Sequence, residues 1–175
     1  TAKILARDID FLPLKSYSNI IEGNALTLDW NTVCPASELS YIIGNPPFVE
    51  YKFLTAKQKQ ELIDIKSNLR AIDYVTGWYY KAAHFIQDTK IECAFVSTNS
   101  ITQGSAVQNV WSDLLTSLNV KINFAYRTFR WDSEASLKAH VHCVIIGFAC
   151  FDKSKKILFD NTSQYKIVDK INPYL

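Results

Sequence analysis

Asn45-Pro46-Pro47-Phe48 sets an amide, two proline carbonyls and an aromatic ring side by side. Those groups suit the capture of a flat, amine-bearing ring. The exocyclic amine of adenine is a poor nucleophile because its lone pair is delocalised into the ring, and it carries two N–H donors. The Asn45 side-chain oxygen can accept one of them. The Pro46 carbonyl, in a loop with no ladder to join, can accept the other. Two acceptors orient the amine and stabilise the positive charge that grows as it attacks a methyl donor. Phe48 offers a face on which a base taken out of its duplex can stack. The plainer reading of the same residues is a Pro-Pro turn, with Asn45 as a turn residue and Phe48 as a core plug.

The elements around the motif position it. Tyr41-Ile42-Ile43-Gly44 is an apolar run that reads as a buried strand. The prolines fix the backbone beyond it, remove two N–H donors and push the preceding residues out of helical geometry. The motif is therefore expected at the C-terminal end of a strand, where ligands bind in open α/β sheets. Downstream, Thr55 to Leu69 reads as a helix capped by Thr55, its apolar face carried by Leu62, Ile65 and Leu69 and its charges on a solvated face. Ala71 to Gln87 reads as a second helix. Its Trp78 and Phe85 stand one heptad apart, as core residues do, and its Gly77 offers a close approach to the sheet. Ile91 to Ser97 is a buried strand ending in Thr98-Asn99-Ser100, which reads either as support for a bound base or as turn capping. Gly104 to Leu118 is a further helix. Val120 to Phe129 and His140 to Phe148 are long strands joined by the polar segment Arg130 to Lys138, and a turn at Lys153 to Lys156 leads into one edge strand. Upstream, residues 1–19 are mixed and interrupted by Pro13, and Ile20 to Glu22 is a short strand candidate ending at Gly23-Asn24. Asn24 reads either as an ordinary turn residue or as an amide offering a donor and an acceptor to an adenine edge.

Composition sets the bounds. A chain of 175 residues with 48% hydrophobic and 21% charged residues suits one ordinary globular domain. A formal charge of +2 is too small to indicate a phosphate-gripping surface, so any nucleic-acid-holding part is expected elsewhere. Cys34, Cys93, Cys143 and Cys150 are scattered without C-x-x-C spacing, and His84, His140 and His142 add no zinc pattern, so no metal is expected. Cys93 and Cys143 read as core thiols. With no signal peptide or membrane-length apolar run, the expected compartment is the cytoplasm. The chain holds no methionine, and its five glycines are too dispersed to form a Gly-rich cofactor loop.

Ile43-Gly44-Asn45-Pro46-Pro47-Phe48 resembles the catalytic motif of S-adenosylmethionine-dependent N6-adenine DNA methyltransferases. Ile20 to Leu26, Asp29-Trp30, Phe95 to Gly104 and Phe129 to Ala135 follow in an order similar to the methyltransferase region of MmeI-like bacterial restriction–modification enzymes. This resemblance spans most of residues 17–175. It implies a Rossmann-like class I methyltransferase fold, a three-layer α/β sandwich incomplete at its N-terminal half. Residues 1–175 would be the C-terminal portion of the catalytic domain, with the cofactor's Gly-rich loop upstream and a target-recognition domain downstream. The implied cofactor is S-adenosylmethionine, near Asn24, Ala25, Asn45 and Pro47. The implied catalytic residues are Asn45, Pro46, Pro47 and Phe48, with Phe48, Trp131 and Phe129 around the base. The implied partners are double-stranded DNA with a flipped adenine and the nuclease and target-recognition parts of the same parent chain. The 175 residues alone would be inactive and prone to self-association through an exposed sheet edge. Two other readings stay open: an Asn-Pro-Pro-aromatic methyltransferase acting on RNA guanine or protein glutamine, and a non-catalytic DNA-docking module.

Overall fold

The computed structural model describes residues 20–67, 69, 72–131, 141–160, 162 and 164–175. Pro13, Ala71, His140 and the segment Asp132 to Ala135, all used in the sequence reading, lie outside the described residues.

The motif strand is present as β1 (Tyr41–Gly44), but it is not the buried strand expected: it stands at the end of the described sheet, with Tyr41 and Ile43 exposed and Ile42 and Gly44 half-buried. Next comes α1 (Ala56–Ile65), begun by a reciprocal cap: the Thr55 hydroxyl accepts from Gln58 N–H at 3.2 Å while Thr55 N–H donates to the Gln58 side chain at 3.0 Å. The helix ends at Lys66, short of the expected Leu69. The second helix, α2 (Thr76–Phe85), starts later than its aromatic pattern suggests. Tyr74 N–H donates to the Val49 carbonyl at 2.9 Å, which ties residue 74 to the loop after the motif and keeps it out of the helix. Then follow β2 (Glu92–Thr98), α3 (Gly104–Ala106), a π-helical turn (Val107–Trp111) and α4 (Ser112–Thr116). Gly104 enters that helical stretch with φ +53°, a conformation glycine adopts without strain. The chain continues through β3 (Lys121–Trp131), β4 (Val141–Ala149), β5 (Lys156–Phe159) and β6 (Tyr165–Val168).

These strands form one six-stranded sheet in the order β1-β2-β4-β3-β5-β6. The β1–β2 and β3–β5 pairs are parallel; β2–β4, β4–β3 and β5–β6 are antiparallel. The sheet is thus mixed, and its two long strands β3 and β4 pair antiparallel within it, not at its edge. The expected strand Ile20–Glu22 is not a strand; Ile20 is 82% exposed and has no ladder partner among the described residues. Lys156–Phe159 is not the edge, because Tyr165–Val168 pairs outside it. The loop 31–39 holds two 3-10 turns, Trp30–Thr32 and Ala36–Glu38.

Strand alternation separates two faces. Cys93, Phe95, Ser97, Val144, Ile146 and Phe148 share the buried face. Tyr79 of α2 packs there, its ring 5.3 Å from Phe95 and 5.2 Å from Phe148, and its hydroxyl 2.8 Å from that of Ser97. Trp111 closes the layer, 5.5 Å from Tyr79, and donates from its indole to the Ile101 carbonyl at 2.9 Å. Ala94, Val96, Ile145, Phe124 and Tyr126 occupy the other face and are half-buried. Among the described residues the ring contacts between helix and sheet all lie on the first face. Trp78 is buried and Phe85 half-buried against Trp30, as their heptad spacing predicts.

Candidate active site

A cleft of about 410 Å³ opens at the C-terminal end of β1. Its walls are Ile42, Ile43 and Gly44 from β1, Asn45, Pro46 and Pro47 from the motif, Ala25 and Trp30 from the upstream turn, Trp78 from α2 and Phe95 from β2. Gly44 keeps the floor low: a Cβ there would lie 3.4 Å from the Phe95 ring. A second, largely apolar cleft of about 550 Å³ shares Ala25, Trp30, Ile42 and Ile43 with the first and runs on past Tyr41 and Leu39. Both volumes fall in the range of small-molecule sites.

The motif presents its polar atoms as a ligand would need them. Asn45 and Pro47 are exposed, Pro46 is buried and Phe48 is half-buried. Neither the Asn45 amide nor the Pro46 carbonyl makes a hydrogen bond among the described residues. Both oxygens are thus free to accept.

Opposite stands the turn that carries Ala25. Asn24 closes it: its Oδ1 accepts from Leu26 N–H at 2.9 Å, and its carbonyl accepts from the Thr27 and Leu28 N–H groups at 3.0 and 2.9 Å. The Asn24 Nδ2 donates to Glu61 Oε1 at 3.1 Å, and the Tyr74 hydroxyl donates to Glu61 Oε2. Lys81 Nζ donates to the Leu26 carbonyl at 2.8 Å and also to that of Leu28, and Trp30 donates to the Ala25 carbonyl at 2.7 Å. The Ala25 N–H has no partner among the described residues. Burial lowers the Lys81 pKa, opposed by the nearby Asp29 carboxylate. Burial and then the adjacent Glu61 push the Tyr74 phenol up to about 12.

The structure therefore brings Ala25, Asn45, Pro46 and Pro47 to one cleft. Asn24 shapes the turn beside it without lining it. Phe129 and Trp131 stand at the same end of the sheet, with Phe129 level with Cys143 and Thr98. They belong to β3, separated from β1 by β2 and β4, so about 14 Å of sheet lies between the strands. Their side chains share the face of Cys143, opposite the helices. Trp131 is 44% exposed and 6.2 Å from Phe129.

Three features escaped the sequence reading. Glu61, expected on a solvated face of α1, is only 6% exposed. Its i+13 partner Tyr74 gave no periodic signal. The Thr98 and Ser100 hydroxyls donate to Asp73, at 3.2 Å for Thr98, and stand 2.8 Å from one another. This favours the turn-holding reading of that segment. Gly77 makes its close approach to Leu62 and Leu26, not to the sheet.

The family model for the MmeI DNA-methyltransferase domain matches residues 2–160. DNA methyltransferase A of Bacillus subtilis (strain 168) is 39% identical over 170 residues, covering 94% of this chain and 19% of the relative. A solved structure of the Type IIL restriction-modification enzyme MmeI in complex with DNA superposes with a TM-score of 0.85 at 49% identity, over 93% of this chain and 23% of that one. A modification subunit of a putative type I restriction enzyme from Vibrio vulnificus YJ016 shares the fold at 11% identity, with a TM-score of 0.53 over 79% of this chain and 28% of that one. The chain thus spans about a fifth of the length of its two nearer relatives.

Proposed function

The chain belongs to the MmeI DNA-methyltransferase domain family, and from that membership we propose that it forms the base-gripping part of an N6-adenine DNA methyltransferase. In this reading residues 1–175 are the C-terminal portion of a Rossmann-like catalytic domain within a longer restriction–modification protein working in the cytoplasm. The parent chain supplies the Gly-rich loop, the nuclease and the target-recognition parts.

The observation that carries the reading is the convergence of Ala25 with Asn45, Pro46 and Pro47 on one cleft, where the Asn45 amide and Pro46 carbonyl have no partner among the described residues. An amine with two N–H donors satisfies both oxygens at once. As positive charge builds on its nitrogen, both acceptors strengthen their hold, which favours the transition state over the ground state. Phe48 stacks on the adenine extruded from double-stranded DNA, and Trp131 with Phe129 flanks the base or its neighbours. No cysteine takes part as nucleophile; burial pushes the Cys93 thiol up to about 12, away from reactivity.

The cleft's composition fits S-adenosylmethionine. Its walls are largely aromatic and apolar, and Ala25, one of its lining residues, has an N–H without a partner among the described residues. Ala25 and Pro47 would hold the cofactor, with Asn45 between cofactor and base and Asn24 shaping the turn. When bound, S-adenosylmethionine supplies an electrophilic methyl group. The 175 residues alone are proposed to be inactive and to associate through the open edge of β1.

The test is nucleoside mass spectrometry on DNA treated with the full-length parent and S-adenosylmethionine. N6-methyladenine that vanishes in Asn45→Ala is the expected result. A cofactor-bound parent that leaves adenine unmodified would overturn the reading in favour of an RNA or protein substrate.

A further inference from the structure

Glu61 is a carboxylate buried in a helix that had no need of one. It is 6% exposed and sits beside Leu62, which is fully buried. A buried carboxylate is costly unless its oxygens are hydrogen-bonded, and a hydrophobic residue of similar size generally stabilises such a position at least as well. Stability alone therefore does not account for Glu61. Each oxygen has one donor: Asn24 Nδ2 at 3.1 Å on Oε1, and the Tyr74 hydroxyl on Oε2. The donors come from different segments, the turn upstream of β1 and the approach to α2.

The bond to Asn24 has a directional consequence. An Asn amide can face either way, and its oxygen and nitrogen are nearly the same size. A carboxylate only accepts, so Glu61 demands the NH₂ end. The Oδ1 must then face the other way, where it accepts from Leu26 N–H at 2.9 Å and closes the turn. That turn carries Ala25 into the cleft shared with Asn45, Pro46 and Pro47.

We propose that Glu61 is a positioning residue for the cofactor: it fixes the orientation of the Asn24 amide, which in turn sets the Ala25 turn against the motif. Glu61 lines neither cleft and touches no ligand; it acts through Asn24. This inference rests on the cofactor assignment proposed above.

The experiment uses the full-length parent and measures S-adenosylmethionine affinity by calorimetry, together with KM, kcat and the melting temperature. Glu61→Leu is expected to raise Kd and KM for S-adenosylmethionine about tenfold, the equivalent of one charge-assisted hydrogen bond. Its kcat should stay within about threefold of the wild type, because the groups gripping the amine are untouched. Glu61→Gln should restore near-wild-type affinity: its Oε1 still accepts from Asn24, and its NH₂ donates to the Tyr74 oxygen. Glu61→Asp keeps the charge but falls one methylene short of Asn24, so it should lose affinity while folding normally. It serves if the leucine variant does not fold. Loss of affinity in Asp and its retention in Gln would establish the role. Equal affinity in all variants, or activity lost only in step with melting temperature, would overturn it. A wild type that binds cofactor without methylating adenine would overturn the proposed reaction and leave the Glu61 assignment standing. A wild type that binds no cofactor would overturn both.

Discussion

Leu26 sits in the notch that Gly77 leaves in α2: a Cβ on Gly77 would stand 3.0 Å from Leu26 Cδ1 and 2.8 Å from Leu62 Cδ2. Leu26 is 3% exposed and is the apolar anchor of the turn that carries Ala25. The Leu62 contact is closer than side-chain carbons tolerate and the Leu26 contact is at the limit, so a methyl group at position 77 has to push the ends of these two buried leucine side chains aside. Gly77→Ala is expected to destabilise by about 1–3 kcal/mol through overpacking, although alanine is intrinsically the better helix former. Thermal unfolding of the variant checks this, and an unchanged or raised melting temperature would show that the notch can widen freely.

The same turn is held from below by Lys81, whose ammonium donates to the Leu26 and Leu28 carbonyls and stands 5.2 Å from the Trp30 ring centre. Lys81→Met keeps the apolar stem and removes the donors. Two carbonyls then lose a charged partner, a loss of about 1–3 kcal/mol. Because the turn borders the proposed cofactor cleft, the KM for S-adenosylmethionine should rise several-fold while the KM for DNA stays within twofold, about the scatter of such measurements. Steady-state kinetics with each substrate varied in turn separates the two.

How far the sequence revealed this site follows from the range of each interaction. Tyr41–Gly44 and its rigid Asn-Pro-Pro continuation were legible as strand and turn because an apolar run and a proline pair are local signals, but the expected burial was not, since that depends on which neighbours cover the strand, and Tyr41 and Ile43 are exposed. The Thr55 cap was legible for the same reason, and the structure adds the reciprocal Gln58 bond. The Asn24–Glu61 bond joins residues 37 apart, and nothing in the local pattern of α1 marks Glu61 as its inward charge. Ile20–Glu22 has strand composition, but a strand also needs a neighbour to pair with, and among the described residues it has none. β6 was missed because Tyr165-Lys166-Ile167-Val168 is short and largely exposed, so its identity comes from pairing with β5.

Tyr74 links this site to alkaline pH. Its folded-state pKa is about 12 against an ordinary 10.0, so the folded protein holds the phenolic proton more tightly than the unfolded chain does. The stabilisation this represents is complete below pH 10 and is lost as pH rises from there through about 12. Tyr74→Phe should therefore be less stable than the wild type at neutral pH, where Glu61 loses a donor, and the gap should narrow between pH 10 and 12. Denaturant titrations of the pair across that interval cancel the raised phenols of Tyr79 and Tyr80, which both proteins share. A gap that stays constant would show that the Tyr74 proton does not contribute to stability.

The outer edge of β1 is expected to govern the behaviour of the 175 residues in isolation. Among the described residues β1 pairs with β2 alone, and its Tyr41 and Ile43 are 67% and 80% exposed. An open apolar edge strand is a template for another strand. The isolated chain should elute larger than a monomer in size-exclusion chromatography, and Ile43→Lys, which places a charge on that edge, should shift it toward the monomer. A wild-type chain that remains monomeric at high concentration would rule the edge out as an association surface.

Trp131 offers a way to separate the DNA side of the site from the cofactor side. It ends β3, on the face opposite the helices and three strand positions from β1, and is 44% exposed. Its contact with Phe129 is a tilted ring pair at 6.2 Å, which places little demand on the core. Trp131→Ala should therefore leave the melting temperature of the parent nearly unchanged. If the indole stacks on a base, its loss should cost about 1–3 kcal/mol of DNA binding, a rise of roughly tenfold to a hundredfold in Kd. Cofactor affinity should not move, because Trp131 lines neither cleft beside β1. Fluorescence anisotropy with labelled duplex, run beside cofactor calorimetry, gives both quantities. Equal loss in both would place Trp131 in the support of the fold, and loss in neither would remove it from the base pocket.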